Sequence, residues 1–335
     1  DVRIQRALLN LQRGQYRRAA EQATAVLQHT SDQSNQRGRA LKVLGMAHLR
    51  LGETETALRY LEEAVPLHRA DGDAYTLANV LQDVGITYER LGKLEEASAC
   101  LQEVVALRRS LGSTGALALA LNNLGYSYHY ASDYRQARAT YREGLSVLAQ
   151  MSYQRAESYL LGGLADLERD VGAFDEAARL YYQALELTGT SEPTLRCAML
   201  TGFATLRRRE GNYGEAAALS QEAVTLAESH GAVVESAFAQ ASLWAARAYT
   251  GDPSEALIQL DSITRQLQQH GARIELLQML GMAASAALLC GETSIASGYL
   301  QTGLRTAQQI GSAQPLAAEV AHTPNLLALV SADPA

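Results

Sequence analysis

The sequence predicts an all-α, right-handed superhelical solenoid of about eight helical hairpins, closed by a C-terminal capping helix. Three observations predict it. Alanine and leucine abound, proline is scarce (6 in 335 residues), and no alternating run of Val, Ile and Thr marks a strand. The chain is longer than one hydrophobic core usually supports, about 250–300 residues, which favours an extended array or more than one core. Above all, small residues recur on a beat close to forty.

The beat is set by Ser132 in the stretch LNNLGYSYHYASDYRQARATYREGL, residues 121–145. Its counterparts are Gly14, Gly52, Gly92, Gly172, Gly211, Gly251 and Gly291, and the eight positions are separated by 38, 40, 40, 40, 39, 40 and 40 residues. Five residues after each stands an alanine, at Ala19, Ala57, Ala97, Ala137, Ala177, Ala216, Ala256 and Ala296. Seven residues before stand Ala7, Gly45, Gly85, Gly125, Ala165, Ala204 and Ala284, with Trp244 as the exception. A period of 20–50 residues marks a solenoid or array.

Each unit reads as helix, turn, helix. In the fourth, Leu117, Leu121, Leu124 and Tyr128 recur at three- and four-residue spacing and form one helical face. The small residue then ends the helix, because a left-handed C-cap favours glycine. Asp133 is placed to cap the next helix, which carries Tyr134, Ala137, Tyr141 and Leu145 on one side. Gly125 and Ala137 mark where two helix axes, normally about 8–10 Å apart, cross. Further breaks at 69–73, 110–115, 188–193, 229–232, 269–272 and 309–313 separate one pair from the next. At the front, Arg3 and Arg6 replace apolar residues. At the back, 313–321 reads as a capping helix, with a further short helix starting after Thr323 at Pro324. The repeat array is expected over 1–311 and the cap and tail over 312–335. Trp244 is expected in the core.

The pattern Leu121-x-x-Leu124-Gly125-x-x-Tyr128 followed by Ala137-x-x-x-Tyr141 resembles the tetratricopeptide repeat signature, as does Leu81-x-x-Val84-Gly85-x-x-Tyr88 followed by Ala97-x-x-x-Leu101. The period is forty instead of the usual 34, and Arg109 and Ala149 stand where the signature's terminal proline would fall. Long-period arrays of this kind resemble the repeat region of MalT-like (LuxR-type, large, ATP-binding) bacterial regulators. The resemblance implies a sensor or scaffold fused to a nucleotide-switch domain and a DNA-binding domain. It would bind an inducer, a peptide or a partner protein on its concave face. Two alternatives stand beside it: a peptide receptor of the quorum-sensing type, and a general protein-interaction scaffold.

Composition narrows the function classes. Hydrophobic residues at 47% and charged residues at 19% describe an ordered chain. The net charge of −7 argues against direct nucleic-acid contact by this segment. Lys42 and Lys93 are the only two lysines among 29 basic residues. Cys100, Cys197 and Cys290 are sparse and odd in number, which suggests a reducing, cytoplasmic setting with the thiols buried as small apolar groups. No run of 18 apolar residues suggests a membrane span, and no leader is evident. The chain begins at Asp1 without Met and reads as a piece of something larger. GxxxxGK[ST], GxGxxG, HExxH and GxSxG are all missing, and no two of the seven histidines stand four apart, so neither an enzyme, a cofactor nor a metal is expected.

The candidate site therefore comes from surface chemistry. The resemblance places a binding face on the first helix of each pair, at positions pointing away from the interlock. In the middle of the array these are Asn122, Tyr126 and His129, then Tyr159, Asp166 and Arg169, then Thr205 and Arg208. Tyr, Asn and Arg are favoured at recognition surfaces. Gly162 and Gly163 interrupt the second of these helices, either to leave room for a ligand or to let helices pack tightly. The arginine run 207–209 reads as part of a solvated, charge-balanced convex face.

Overall fold

A computed structural model describes residues 2–30, 35–149, 151, 153–189, 192–269, 273–323, 325–326 and 328–329. Among them are seventeen helices and no strand. Eight hairpins follow one another: α1 (Val2–Gln12) with α2 (Tyr16–Leu27), α3 (Asn35–Arg50) with α4 (Thr54–Asp71), α5 (Ala74–Leu91) with α6 (Leu94–Ser110), and α7 (Thr114–Tyr130) with α8 (Tyr134–Leu148). Then come α9 (Gln154–Asp170) with α10 (Phe174–Thr188), α11 (Pro193–Arg209) with α12 (Tyr213–Ser229), α13 (Val233–Thr250) with α14 (Pro253–Gln269), and α15 (Arg273–Leu289) with α16 (Thr293–Ile310). The capping helix α17 spans Gln314–Ala321. His270 and its turn, and Pro324 at the expected start of a further helix, lie outside the described residues.

The chain forms two compact units, Asp1–Ser127 and Tyr128–Ala335. Within each, the core is a series of small clusters. In the first unit Ile4 and Ala7, Ala19 and Val26, and Val43 and Leu44 join three successive helices. In the second, Ala245 and Ala248 of α13 meet Leu260 and Ile263 of α14 and Met279 and Met282 of α15. Nearest-neighbour stacking of this kind is how a repeat array buries its apolar faces.

The beat does what the sequence implies. All eight alanines that follow the turns are 0% exposed. In the first unit a Cβ placed on Gly85 would lie 2.9 Å from Leu101 Cγ and 3.5 Å from the Ala97 carbonyl, so helices α5 and α6 already touch at the glycine. In the second unit a Cβ on Gly163 would lie 2.6 Å from the Tyr141 ring, and one on Gly202 2.8 Å from the Tyr181 hydroxyl. Gly162 and Gly163 thus serve close packing, against Met199 and Tyr141, and leave no ligand-sized gap. Trp244 is only half-buried: it packs against the α13–α15 cluster while the Arg247 guanidinium sits 5.1 Å from its ring centroid. Cys197 is buried, Cys100 and Cys290 are partly so, and all three are free.

Gly14, Gly52, Gly92, Gly172, Gly211 and Gly291 adopt positive φ between 73° and 85°, and Ser132 joins them at φ 61°, the one non-glycine to do so among the described residues. Gly251 departs, at φ −135°. The left-handed conformation costs a side-chain-bearing residue about 1–2 kcal/mol, and glycine gives back about 0.5–1 in unfolded-chain entropy. Ser132→Gly is therefore expected to stabilise the second unit by about 0.5–1 kcal/mol. Urea titration followed by circular dichroism checks this; an unchanged or lowered midpoint contradicts it.

Candidate functional site

The two units divide the candidate residues. In the first, Asn122 is buried, its amide nitrogen 3.5 Å from Asn123 Oδ1, and its own Oδ1 finds no partner among the described residues. Tyr126 is half-buried. The remaining six lie in the second unit, and four of them, His129, Asp166, Arg169 and Arg208, enter one buried charge network.

Asp170 is its centre. Its Oδ1 accepts from Arg169 Nε at 2.9 Å and from Arg209 Nη1 at 2.6 Å, and its Oδ2 accepts from Gln314 Nε2 at 2.7 Å, with His129 Nε2 at 3.1 Å. Arg169 Nη1 donates to Asp166 Oδ1 at 2.5 Å and to the Tyr181 hydroxyl at 2.8 Å; that hydroxyl donates to the same carboxylate oxygen at 2.6 Å. Glu319 closes the network from α17: its two oxygens accept from Arg208 Nη2 at 2.8 and 2.6 Å, and one lies 3.4 Å from Arg209 Nη2. The Glu319 side chain is fully buried, and those of Arg208 and Arg209 are 5% and 1% exposed.

Local sequence explains the placement. The first helices of successive hairpins contact one another from α9 through α11, α13 and α15 to α17. Asp170 and Arg209 are the last residues of α9 and α11, so they meet at one end of this row. On α17, Leu316, Glu319 and Val320 recur at three- and four-residue spacing, which puts a carboxylate on the helix's apolar face. A Cβ on Gly281 would lie 2.7 Å from Glu319 Cβ, and one on Gly303 2.8 Å from Leu316, so α17 sits directly on α15 and α16. Ser312 Oγ donates to the Tyr130 carbonyl at 2.6 Å and anchors the entry to α17.

Electrostatics follow the geometry. Burial acts to raise the Asp170 carboxyl, but the guanidinium groups of Arg169 and Arg209 outweigh it and hold the group well below the usual range. Burial also acts to raise Glu319, and Arg208 and Arg209 reverse it, bringing the carboxyl down to about 2. Burial pushes the Tyr181 hydroxyl well above its ordinary value, a push that Asp166 strengthens and Arg169 opposes. All of these groups are thus held in their usual charge states across the neutral range.

This differs from the solvated face that the sequence suggests. His129, Arg169, Thr205 and Arg208 are buried, and α17 reaches His129 through Gln314 and Arg208 through Glu319. Thr205 spends its hydroxyl on the Thr201 carbonyl, 3.0 Å away, and takes no part in the network. Tyr159 stays half-buried beside a cavity of about 220 Å³ lined by Gln154, Arg155, Ser158 and Glu192. Of the arginine run, Arg207 behaves as expected, pairing with Glu210 and Glu215 near solvent, whereas Arg208 and Arg209 turn inward. Asp170, Tyr181, Arg209, Gln314 and Glu319 are the members that sequence reasoning missed. Glu319 was detectable as the one acid on the apolar stripe of the cap. Among the described residues no cluster of His, Cys, Asp and Glu could hold a metal, and no helix is long and apolar enough to cross a membrane.

Models of the tetratricopeptide repeat family match residues 39–70 and 73–150. A third model, that of anaphase-promoting complex subunit 5, matches 132–247. No curated protein matches the chain significantly. Solved structures share the fold. The Rap conjugation gene regulator of plasmid pLS20, in complex with the Phr* peptide, superposes with a TM-score of 0.72 at 9% identity, over 92% of this chain and 95% of that one. The apo form of the quorum sensor NprR from B. thuringiensis gives 0.67 at 14%, over 91% and 86%. A signal transduction ATPase with numerous domains from Pyrococcus horikoshii, which carries a tetratricopeptide repeat sensor, gives 0.53 at 15%; there 94% of this chain spans 46% of the other. At such identities the likeness is one of fold, a helical tetratricopeptide-type array.

Arg169→Ala tests the network. It removes the guanidinium from Asp166 and the Tyr181 hydroxyl and takes one of two arginine partners from the buried Asp170, which costs about 1–3 kcal/mol. The depressed Asp170 contributes stability that is complete above the unfolded carboxylate range, near pH 4, and is lost as pH falls below it. Urea titrations of parent and variant should therefore differ by that amount from pH 5 to 8 and converge in more acidic buffer. Equal stability at pH 7 contradicts the assignment.

Proposed function

We propose that this chain is a non-catalytic recognition module that binds a peptide or a protein segment through the first-helix face of its hairpins. One observation carries the reading: the array matches, over nearly its whole length, regulators named as a peptide-bound Rap protein and a quorum sensor. The chemistry of the face agrees with it. Amide, tyrosine and arginine side chains line the face, which suits main-chain and carboxylate recognition of an extended or helical guest. Each unit offers its own candidate contact: Tyr126 is half-buried in the first beside the buried Asn122, and in the second Tyr159 and Asp166 are half-buried while His129, Arg169, Thr205 and Arg208 are buried.

A second reading has its own observation. The sensor array of the Pyrococcus ATPase has the same fold within a much longer chain, which supports a sensor region joined to a nucleotide switch, as in MalT-like regulators. The two readings differ in their neighbours along the gene. A nucleotide-binding switch domain encoded next to this segment favours the second, and its absence favours the first.

The receptor reading is tested by panning an immobilised library of random short peptides against the full chain. Saturable, sequence-selective binding is expected. Tyr126→Ala or Tyr159→Ala should weaken it at least about ten-fold, as loss of an aromatic anchor does, with cooperative melting retained. No saturable binding, or binding indifferent to both substitutions, contradicts the proposal.

A further inference from the structure

The face beneath α17 carries an odd charge. Arg169, Arg208 and Arg209 contribute three positive charges to the network, while Asp166 and Asp170 contribute two negative ones. Glu319 of α17 supplies the third carboxylate, and it is the sole carboxylate bonded to Arg208 among the described residues. Covered by a segment that lacks an acid, Arg208 would be a buried guanidinium without a counter-charge. A buried unpaired charge is among the costliest defects a protein interior can hold. Whatever covers this face must therefore bring an acid.

The occupant in place fits incompletely. Arg208 Nε, Arg209 Nε and His129 Nδ1 are buried without a hydrogen-bond partner among the described residues. Such orphaned groups are destabilising, and in a native structure they call for an explanation. The occupant is also short. α17 has eight residues, too few for a helix to persist alone in water. It follows a left-handed Gly311 at φ 67° and the short tether of Ser312 and Ala313. Its buried apolar residues are Leu316, which packs against α15 and α16, Ala318 and Val320, while its grip on α9 and α11 is polar, through Gln314 and Glu319.

We propose that the α9–α11 face of the second unit is a docking surface for a helical segment bearing a carboxylate, and that α17 is its resident intramolecular occupant. A partner protein presenting an acidic helix would take the place of α17, pairing its own acid with Arg208 and Arg209 and displacing the cap outward. The inference rests on the recognition reading given above, and it specifies the partner: acidic, helical, and matched to two arginines at the ends of a row of helices.

The test uses the full chain and its own segment as probe. Hydrogen exchange followed by mass spectrometry on the parent chain should show amides of 314–321 exchanging at least ten-fold faster than those of α15 and α16. A labelled peptide of residues 312–323 should bind a Glu319→Ala chain saturably, at least ten-fold tighter than it binds the parent, whose site is already filled. The same peptide carrying Glu319→Gln should lose most of that affinity. If the 314–321 amides open only in step with α15 and α16, α17 is a fixed part of the fold and the proposal fails. Binding that ignores the peptide's glutamate overturns it too. The exchange measurement needs no variant, so poor folding of Glu319→Ala does not shield the idea. A failed search for foreign peptides counts against the receptor reading alone, because this probe is the chain's own; a locked α17 counts against exchange alone.

Discussion

The constraint on which the structure depends is steric. Two helices can pair along a hairpin only where side chains are small enough to let their backbones meet. Here that condition returns about every forty residues. The alanines that follow the turns are wholly buried, Gly45 and Gly85 sit against a leucine of the paired helix, and Gly163 and Gly202 sit against a tyrosine of the preceding hairpin, each with no room for a methyl group. The apolar area buried at each crossing is modest, so no single cluster dominates. Stability accumulates instead through contacts between neighbours. Because each hairpin uses its inner faces for pairing, the outer face of its first helix is left to meet the next first helix, and there the chemistry gathers.

That leftover face explains the charge network. Asp170 and Arg209 end α9 and α11 and so fall at the same level, with Arg169 and Arg208 one residue back. Three arginines and three carboxylates would stay solvated on an open surface and contribute little. Covered by α17, they lose water and interact strongly, but desolvation takes back much of the gain. What the network fixes is register. Gln314 must reach Asp170 while Glu319 reaches Arg208, a spacing that one placement of the helix satisfies. An apolar cap could slide along the row; this one cannot. The same feature makes the face selective for whatever else covers it.

Much of the fold was legible in the sequence. The beat of glycine and alanine marks each hairpin bend, and Ser132 is recognisable as one of the set despite its side chain. The cap over 313–321 is legible as well, since α17 spans 314–321. The candidate site was legible in part. Helix periodicity selects the face that carries His129, Asp166, Arg169 and Arg208, but periodicity has no term for a segment more than a hundred residues downstream returning to cover it. Arg208 and Arg209 therefore read as solvated charges, and Gly162 and Gly163 left two explanations open until Met199 and Tyr141 appeared against them. The clue in hand was compositional: a lone glutamate on the apolar stripe of a capping helix needs a cation, and the sequence holds several.

The steric beat can be tested most directly at two adjacent alanines of α10. Ala177 lies on the beat and is fully buried; Ala178 lies next to it and is half-buried. Valine lowers helix propensity equally at both, so the difference between Ala177→Val and Ala178→Val in urea titration isolates the crossing. Overpacking a tight crossing costs about 1–3 kcal/mol, and the account expects that penalty at 177 with little at 178. Equal stability of the two variants would show that the helices do not meet at the beat, and the interlock would have to be abandoned.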